Sequence, residues 1–325
     1  MRRLWQTVLA GVWFAAAGHA TAQGNLNYPA KPLKMIIPFP AGGPTDIVGR
    51  LLGQKLTEAW GHTVVIDNRP GGGGVIAGQL AAKSPPDGYT IFLGGITTLV
   101  LSTYVHKNRP YDSLREFLPV TQTTAQPLLL MTHPSLPVKS YKEFIALARA
   151  RPGQINYATS GPGGSGHLAG ELLKLMTSIN IVHVPYRGQP PALNDLLAGQ
   201  VQSLFGAPLA LMPHIRTGKI RALAITGQKR SPAVPEVPTF DEAGLPGYDA
   251  STWNGIMVPA GTPRAIIERL HSEIVKILRA PANMERLSGD GSVVIAGTPE
   301  EFAAFINTEH AKWSKVVREA NIRVE

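Results

Sequence analysis

Four glycine-rich turns contain the residue types with which this sequence could bind a ligand. Each turn lies between a short apolar run and a longer amphipathic run. Glycine lets a ligand approach the backbone closely, and the first N–H groups of a following helix favour an anion. The turns span residues 40–46 (PAGGPTD), 68–74 (NRPGGGG), 160–167 (SGPGGSGH) and 185–188 (PYRG).

Hydroxyl groups distinguish two of these turns. Thr45 lies beside the glycines of the first turn, and Ser160 and Ser165 lie beside those of the third. We therefore interpret these two turns as the halves of an anion-binding site. The run Gly71–Gly74 favours a tight connection at positive φ rather than a selective site.

Two charged residues of the turns have two interpretations each. Arg187 is the candidate for a direct ion pair with a carboxylate, and the alternative is a solvated surface arginine. Asp46 is interpreted as an acceptor for backbone N–H groups of its own turn, and the alternative is a partner for a ligand ammonium group.

Short apolar runs alternate with amphipathic runs in the elements that position these turns. Residues 34–39 (KMIIPF) predict a strand, and residues 45–58 predict a helix with one apolar face. The alternation continues to residue 93 and resumes between residues 128 and 225. This order predicts parallel sheets covered by helices.

The C-terminal part predicts two long helices and few strands, which suits a cover for the first sheet better than a third domain. We therefore predict an α/β fold of two lobes, with the ligand cleft between them at the C-terminal ends of the strands. The predicted limits are 23–126 plus 250–325 for lobe 1 and 127–249 for lobe 2, with a hinge near 125–128 and 249–253.

Composition excludes several classes of protein. The chain has 325 residues, 44% of them hydrophobic, which is enough for cores and excludes general disorder. It has no Cys, which excludes disulfides, thiolate nucleophiles and Cys-ligated metals. Its net charge is +9, but the basic residues are scattered without interleaved aromatics, so we expect small anions and no nucleic acid as partners.

The N-terminus has the pattern of a secretory signal. Arg2 and Arg3 precede an apolar stretch over 4–17, and Ala20-Thr21-Ala22 is a small-x-small cleavage sequence. We predict a signal peptide over 1–22, cleavage after Ala22 and a periplasmic protein. The alternative is an uncleaved membrane anchor.

Common catalytic motifs are missing from the sequence. It has no P-loop, no Gly-x-Ser-x-Gly and no His-Glu-x-x-His. His167 and Glu171 have the spacing of two metal ligands on a helix, but two groups are too few for a metal site, and an intrahelical pair is the commoner explanation. We expect no enzyme activity, no catalytic residue, no metal and no cofactor.

A set of ordered motifs across the mature chain resembles one family, the substrate-binding proteins of tripartite tricarboxylate transporters, which are Bug-type periplasmic receptors. The motifs include PFPAGGPTD (38–46), NRPGGGG (68–74), PPDGYT (85–90), YATSGPGGSGHLAGEL (157–172), VHVPYRG (182–188), VPTFDEAGLPGY (237–248) and VPAGTP (258–263).

The resemblance implies a Venus-flytrap, type II-like periplasmic binding protein. Such a receptor closes on a small carboxylate, which is a di- or tricarboxylate or an aromatic acid, and delivers it to membrane permease subunits. We expect a monomer. The candidate ligand-binding residues are Phe39, Ala41, Gly42, Gly43, Thr45, Asp46, Gly95, Thr97, Thr98, Ser160, Gly163, Ser165, His167, Arg187 and Gly206.

One position departs from the resemblance. After the strand predicted over 201–205 the family commonly has Asp, where this chain has Gly206. We hypothesise that the missing carboxylate opens space for a larger, doubly charged or aromatic acid.

Two other functions use the same features. A ligand-sensing subunit for a membrane sensor kinase would bind its ligand in the same way. A secreted enzyme acting on anionic substrates would also need a nucleophile–base pair.

Overall fold

Two mixed sheets form the framework of the protein. The computed structural model describes residues 27–105, 111–208, 211–289 and 291–322, so the predicted signal peptide over 1–22 lies outside the described residues. No helix within these ranges is long and apolar enough to cross a membrane.

The first sheet takes strands from both ends of the chain, and the second takes them from the middle. The six strands of the first are β1 (Leu33–Ile37), β2 (Val64–Asn68), β3 (Thr90–Gly95), β4 (Phe117–Gln126), β10 (Thr252–Pro259) and β11 (Val293–Val294). The five strands of the second are β5 (Leu129–Thr132), β6 (Asn156–Thr159), β7 (Val182–Pro185), β8 (Ser203–Gly206) and β9 (Arg221–Ile225). Their orders are β11-β4-β10-β3-β1-β2 and β7-β6-β8-β5-β9.

Helices cover both sheets. They are α1 (Pro44–Trp60), α2 (Val75–Ala82), α3 (Ser102–Val105), α4 (Ser113–Glu116), α5 (Tyr141–Ala150), α6 (Ser165–Thr177), α7 (Gln189–Leu197), α8 (Met212–Arg216), α9 (Arg264–Arg279), α10 (Pro281–Ser288) and α11 (Pro299–Glu319). A 3-10 turn at Gly72–Gly74 precedes α2, and a π-helical turn at Thr97–Leu101 follows β3.

Neither sheet is purely parallel, which differs from the sequence-based expectation. Strands β1, β2 and β3 are parallel, and so are β6, β7 and β8. Strand β10 is antiparallel to both β3 and β4, and β5 is antiparallel to β8 and β9. Strands β5 and β10 each follow a passage of the chain between the sheets, which no crossover helix interrupts, and the short β11 is antiparallel to β4.

The two passages between the sheets lie side by side. The chain leaves the first sheet after Gln126 and returns at Thr252, and the Thr252 hydroxyl donates to the Gln126 carbonyl over 3.0 Å. In the ladder between β4 and β10, Trp253 is paired with Ala125. The two passages are therefore bonded together where we expect the hinge.

Apolar packing continues from one sheet to the other. One buried cluster joins Phe92 and Trp253 of the first sheet to Tyr157 and Phe205 of the second, together with Trp313 of α11. Helix α11 begins with a complete capping box, in which the Thr298 side chain accepts from the Glu301 N–H and the Glu301 side chain accepts from the Thr298 N–H.

Candidate functional site

The loops of the first lobe meet at one edge of its sheet. Because β1, β2 and β3 are parallel, the segments that follow Ile37, Asn68 and Gly95 leave the sheet on the same side. The packing there is close, since an ideal Cβ built on Gly74 would lie 2.9 Å from Cβ of Pro38. The glycines from Gly71 to Gly74 all have positive φ, which favours the structural interpretation of this turn.

Asp46 organises the first turn from a buried position. Its carboxylate accepts from Gly42 N over 2.8 Å, Arg50 Nε over 2.7 Å and Asn68 Nδ2 over 3.0 Å. Burial alone would raise the pKa of Asp46, but the hydrogen bonds from Arg50, Gly42 and Asn68 together lower it. Asp46 is therefore an ionised group whose bonds go to its own turn and its neighbours, as the first of the two interpretations expects.

The N-terminus of α1 presents free backbone donors. The N-cap residue, Gly43, has no side chain that could cap the helix. The first helical hydrogen bond joins Ile47 N to Gly43 O. The N–H groups of Thr45 and Asp46 precede that bond and therefore have no helical acceptor. The Thr45 hydroxyl donates to Asn254 Oδ1 over 3.3 Å, which connects the turn to β10.

The loops of the second lobe meet in the same way. Strands β6, β7 and β8 are parallel, so the turns after Thr159, Pro185 and Gly206 share one edge of the sheet. Gly188 N donates to Ser160 O over 3.0 Å, so the third and fourth glycine turns are bonded to each other.

His167 has the role in the second lobe that Asp46 has in the first. Its Nδ1 accepts the N–H of Gly163, four residues earlier, over 3.0 Å. Its ring is stacked on His183, with centroids 3.9 Å apart. The His167 side chain is only 13% exposed. The ring nitrogen that faces the glycines, Nδ1, already accepts the Gly163 N–H and is not free for a ligand. His167 therefore supports the turn.

The start of α6 repeats the start of α1. The N-cap residues Gly43 and Gly164 have φ, ψ of −78°, 168° and −78°, 169°. The residues before them, Gly42 and Gly163, have positive φ of 85° and 69°. Helix α6 begins its bonding with Leu168 N to Gly164 O, so three N–H groups, those of Ser165, Gly166 and His167, precede it. The two lobes thus present the same arrangement of helix N–H groups that have no acceptor within the helix.

The remaining first-lobe candidates are not equally accessible. Thr98 is fully buried, and its hydroxyl bonds both N and O of Gly95. Gly95 is buried against β10, where an ideal Cβ would lie 2.9 Å from Asn254 Oδ1, so packing explains this glycine. Thr97 is half-buried and near Gly73. The accessible candidates here are Thr97, half-buried Phe39 and Gly43, and exposed Ala41 and Gly42.

In the second lobe, Ser160 and Arg187 are exposed and Ser165 is half-buried.

The space beside Gly206 is not open, contrary to the hypothesis that the missing carboxylate makes room there for a larger acid. An ideal Cβ there would lie 2.7 Å from Leu204 Cδ2 and 3.1 Å from Gln189 Oε1. Gln189 fills the position and bonds both N and O of Ala207.

Several residues of this site were missed by the sequence analysis. Asn68 connects the first two turns, because its Nδ2 donates to Phe39 O as well as to Asp46. His183 and Gln189 support the second lobe. The sequence signal for Asn68 and Gln189 is their position, since Asn68 ends a strand and Gln189 directly follows a glycine turn.

Among the described residues there is no group of three or more His, Asp and Glu side chains that could hold a metal ion. A groove of about 410 Å³ lies between α6 and α11, and its lining includes Lys174, Ser178 and Glu319 rather than the loop residues. The glycine turns offer backbone donors and hydroxyls, which suit reversible binding of an anion.

Solved structures with the same architecture define the class. The structure of R. palustris Rpa4515 with adipate is 36% identical, has a TM-score of 0.76 and covers 91% of this chain and 99% of that chain. MatC from Rhodopseudomonas palustris with bound malate is 31% identical, with a TM-score of 0.72 and coverage of 89% and 100%. The fold is that of two-lobed periplasmic binding proteins.

The family is also defined. Residues 48–322 match the tripartite tricarboxylate transporter family receptor. Protein BugT of Bordetella pertussis is 38% identical over 316 residues, which are 97% of each chain. This chain belongs to that family of solute receptors, as the resemblance indicated.

Proposed function

We propose that this protein captures a small organic carboxylate by closing its two lobes and delivers it to the membrane permease subunits of a tripartite transporter. The observation that carries the proposal is the repeated turn at the start of α1 and α6. Each copy directs unbonded N–H groups away from a helix N-terminus, and a carboxylate placed between them would accept from both.

The ligand class follows from charge and from the relatives. Rpa4515 holds adipate and MatC holds malate, and both acids carry two carboxylates. The exposed Arg187 lies in the fourth turn, which is bonded to the third, and would pair with a carboxylate that the helix N-termini do not hold. We therefore assign a di- or tricarboxylate, or an aromatic carboxylate, as the ligand. The net charge, which stays positive without Arg2 and Arg3, assists the capture of such anions.

The proposed working form is a periplasmic monomer that lacks residues 1–22. Lobe 1 comprises 23–126 and 250–325, and lobe 2 comprises 127–249. They close about the paired passages near 125–128 and 249–253, where Thr252 bonds to Gln126. The transporter's membrane subunits are the proposed transient partners.

A thermal-shift screen of the mature chain tests this function. The probes are adipate, malate, benzoate and an α-amino acid, each at several concentrations. A ligand present at a hundredfold excess over its Kd stabilises the protein by about 2.7 kcal/mol and should raise Tm by several degrees. A shift with a dicarboxylate or with benzoate supports the proposal. A shift with the amino acid alone, or with none of the four, contradicts the ligand class.

A further inference from the structure

Two stacked imidazoles lie directly beneath the ligand turn of the second lobe. His167, in the first turn of α6, and His183, in β7, have ring centroids 3.9 Å apart and planes only 7° from parallel. The sequence analysis had singled out His167 alone. Receptor function as proposed does not by itself require a second histidine there.

Hydrogen bonds tie both rings to the backbone of that turn. Gly163 N–H donates to His167 Nδ1, so Nδ1 carries no proton, and the ring proton is on Nε2, which lies 3.9 Å from Glu171 Oε1. His183 Nε2 is 2.7 Å from the Thr159 hydroxyl, and the same hydroxyl bonds both N and O of Gly161. The two histidines therefore hold the two glycines on either side of Pro162.

The charged and titratable groups around the rings favour their neutral forms. Burial is the largest cause that lowers the pKa of each imidazole, and the neighbouring His167 further lowers the pKa of His183, to about 4. Glu171 opposes this shift and Lys174 adds to it, both from α6.

Glu171 is not a free counter-ion for either ring. It already accepts from Tyr157 over 2.7 Å and from Lys174 over 2.9 Å. Tyr157 of β6 also packs against His183, with ring centroids 5.1 Å apart, and Tyr248 acts electrostatically on Tyr157 from the far side.

The stacked geometry does not suit a metal ion. The lone pairs of an imidazole lie in the plane of its ring, so two parallel rings 3.9 Å apart cannot direct both lone pairs to one ion. The hydrogen bonds of the two imidazole rings instead support the turn.

We propose that His167 and His183 are positioning residues that form a proton-sensitive latch on the ligand turn of residues 160–166. While both rings are neutral, the turn keeps its amides in the binding geometry. A proton added to His167 must go to Nδ1, where it displaces the Gly163 N–H. A proton added to His183 places a cation on the face of the neighbouring ring.

The direction of the pH effect follows from the lowered pKa values. An unperturbed imidazole has a pKa of about 6.5, and these two titrate below it. The latch is therefore fully closed above about pH 6.5 and opens as the pH falls towards about 4, the pKa of His183. The expected effect of this pH change on ligand binding rests on the proposed function.

The first test needs no ligand. In ¹⁵N NMR of the full mature chain at pH 7.5, His167 should be the neutral tautomer with its proton on Nε2. On lowering the pH to 4, the amide signals of Gly161 and Gly163 should shift together with the imidazole signals. Titration of both rings near pH 6.5, or glycine amides that do not follow them, would overturn the latch.

The second test measures the Kd of adipate and malate by calorimetry at pH 7.5 and pH 4. His167→Asn places an amide oxygen near the position of Nδ1 and cannot be protonated there, so it keeps the acceptor and removes the switch. His167→Leu removes the acceptor and should weaken binding about tenfold at pH 7.5. His62→Asn, in the connection between α1 and β2, is the matched control and should behave as wild type.

The informative quantity is the difference between variants, because the ligand's own carboxylates protonate in the same range. From pH 7.5 to 4, wild type should lose at least about twofold more affinity than His167→Asn, because only the wild-type side chain can take a proton at Nδ1 and release the Gly163 N–H. Equal losses in the two proteins contradict the latch. If neither acid binds at pH 7.5, these two dicarboxylates are not ligands, and the NMR titration alone decides the latch.

Discussion

Asp46 and His167 occupy equivalent positions in the two lobes, and each accepts the backbone N–H of the glycine four residues before it. The distances are 2.8 Å from Gly42 N to Asp46 and 3.0 Å from Gly163 N to His167. One acceptor is an anion balanced by Arg50, and the other is an imidazole. In both lobes the acceptor lies below the turn and leaves the N–H groups at the helix start available to a ligand.

Replacing Asp46 should destabilise the first turn. Asp46→Ala leaves Gly42 N, Arg50 Nε and Asn68 Nδ2 without their common acceptor. We expect the free energy of unfolding to fall by about 2–3 kcal/mol, measured by urea unfolding at pH 7. Glu58→Ala is the control, because it removes only exposed contacts with Lys55 and Gln54 and should change little. A loss no larger than that of the control would show that Asp46 does not support the turn.

The same carboxylate should contribute to acid sensitivity. The hydrogen bonds to Asp46 lower its pKa below the ordinary value of about 3.9, so the unfolded chain takes up the proton first as the pH falls. The stability that Asp46 provides is present above about pH 4 and is lost below it. In Asp46→Asn, stability should therefore decline less steeply between pH 4 and pH 2. Identical slopes in the two proteins would contradict this assignment.

Glu309 of α11 should be an anchor for the second passage between the sheets. Its carboxylate accepts from the indoles of Trp253 and Trp313, over 2.8 and 2.9 Å, and pairs with Lys312. Lys312 also donates to the backbone O of Asp249 over 2.9 Å.

Because this network is buried, Glu309→Ala should cost about 3–5 kcal/mol in urea unfolding. Glu309→Gln retains an oxygen acceptor and should cost less. If both variants unfold like wild type, the passage is held by apolar packing alone.

Gln189 and Gly206 should be energetically coupled. An aspartate at position 206 would collide with Leu204 and displace Gln189 from Ala207. Gly206→Asp should therefore destabilise the protein by about 1–3 kcal/mol. Adding Gln189→Ala should recover part of that loss, as a double-mutant cycle on unfolding free energies would show. Strictly additive effects would mean that the two side chains do not compete for this space.

The local hydrophobic pattern was sufficient to predict many helices and strands but did not predict β4. The helix predicted over 45–58 lies within α1, Pro44–Trp60, because its amphipathic run follows the glycine turn directly. Strand β4 was not predicted, since its sequence FLPVTQTTAQ contains Pro119 and buried polar residues. Thr121 and Thr123 are satisfied there by Gly297 O and Asn254 O, far away in sequence. Such partners are visible only in the folded chain.

The sequence indicated which turns contain the candidate residues, but it did not indicate the role of each side chain in the folded chain. Glycine and hydroxyl residues marked loops that meet at one edge of each sheet, because the segments after parallel strands share that edge. Whether a side chain supports a turn or faces the ligand depends on tertiary partners. Thr98 is turned back onto Gly95, and the space beside Gly206 is filled by Gln189.

The most direct measurement of the central claim is the Kd of adipate and malate for three matched glycine variants. Gly43 and Gly164 have negative φ, and an ideal Cβ would lie 3.6 Å and 3.4 Å from the nearest atom, so the backbone at both positions accepts a residue with a Cβ. Gly289, with φ of −60° and a nearest atom at 3.5 Å, is the control outside the site.

Gly43→Val and Gly164→Val should each weaken binding at least about tenfold without unfolding the chain, because the side chain covers the helix N-terminus. Gly289→Val should bind as wild type does. Wild-type affinity in both loop variants would contradict carboxylate capture by the paired helix N-termini.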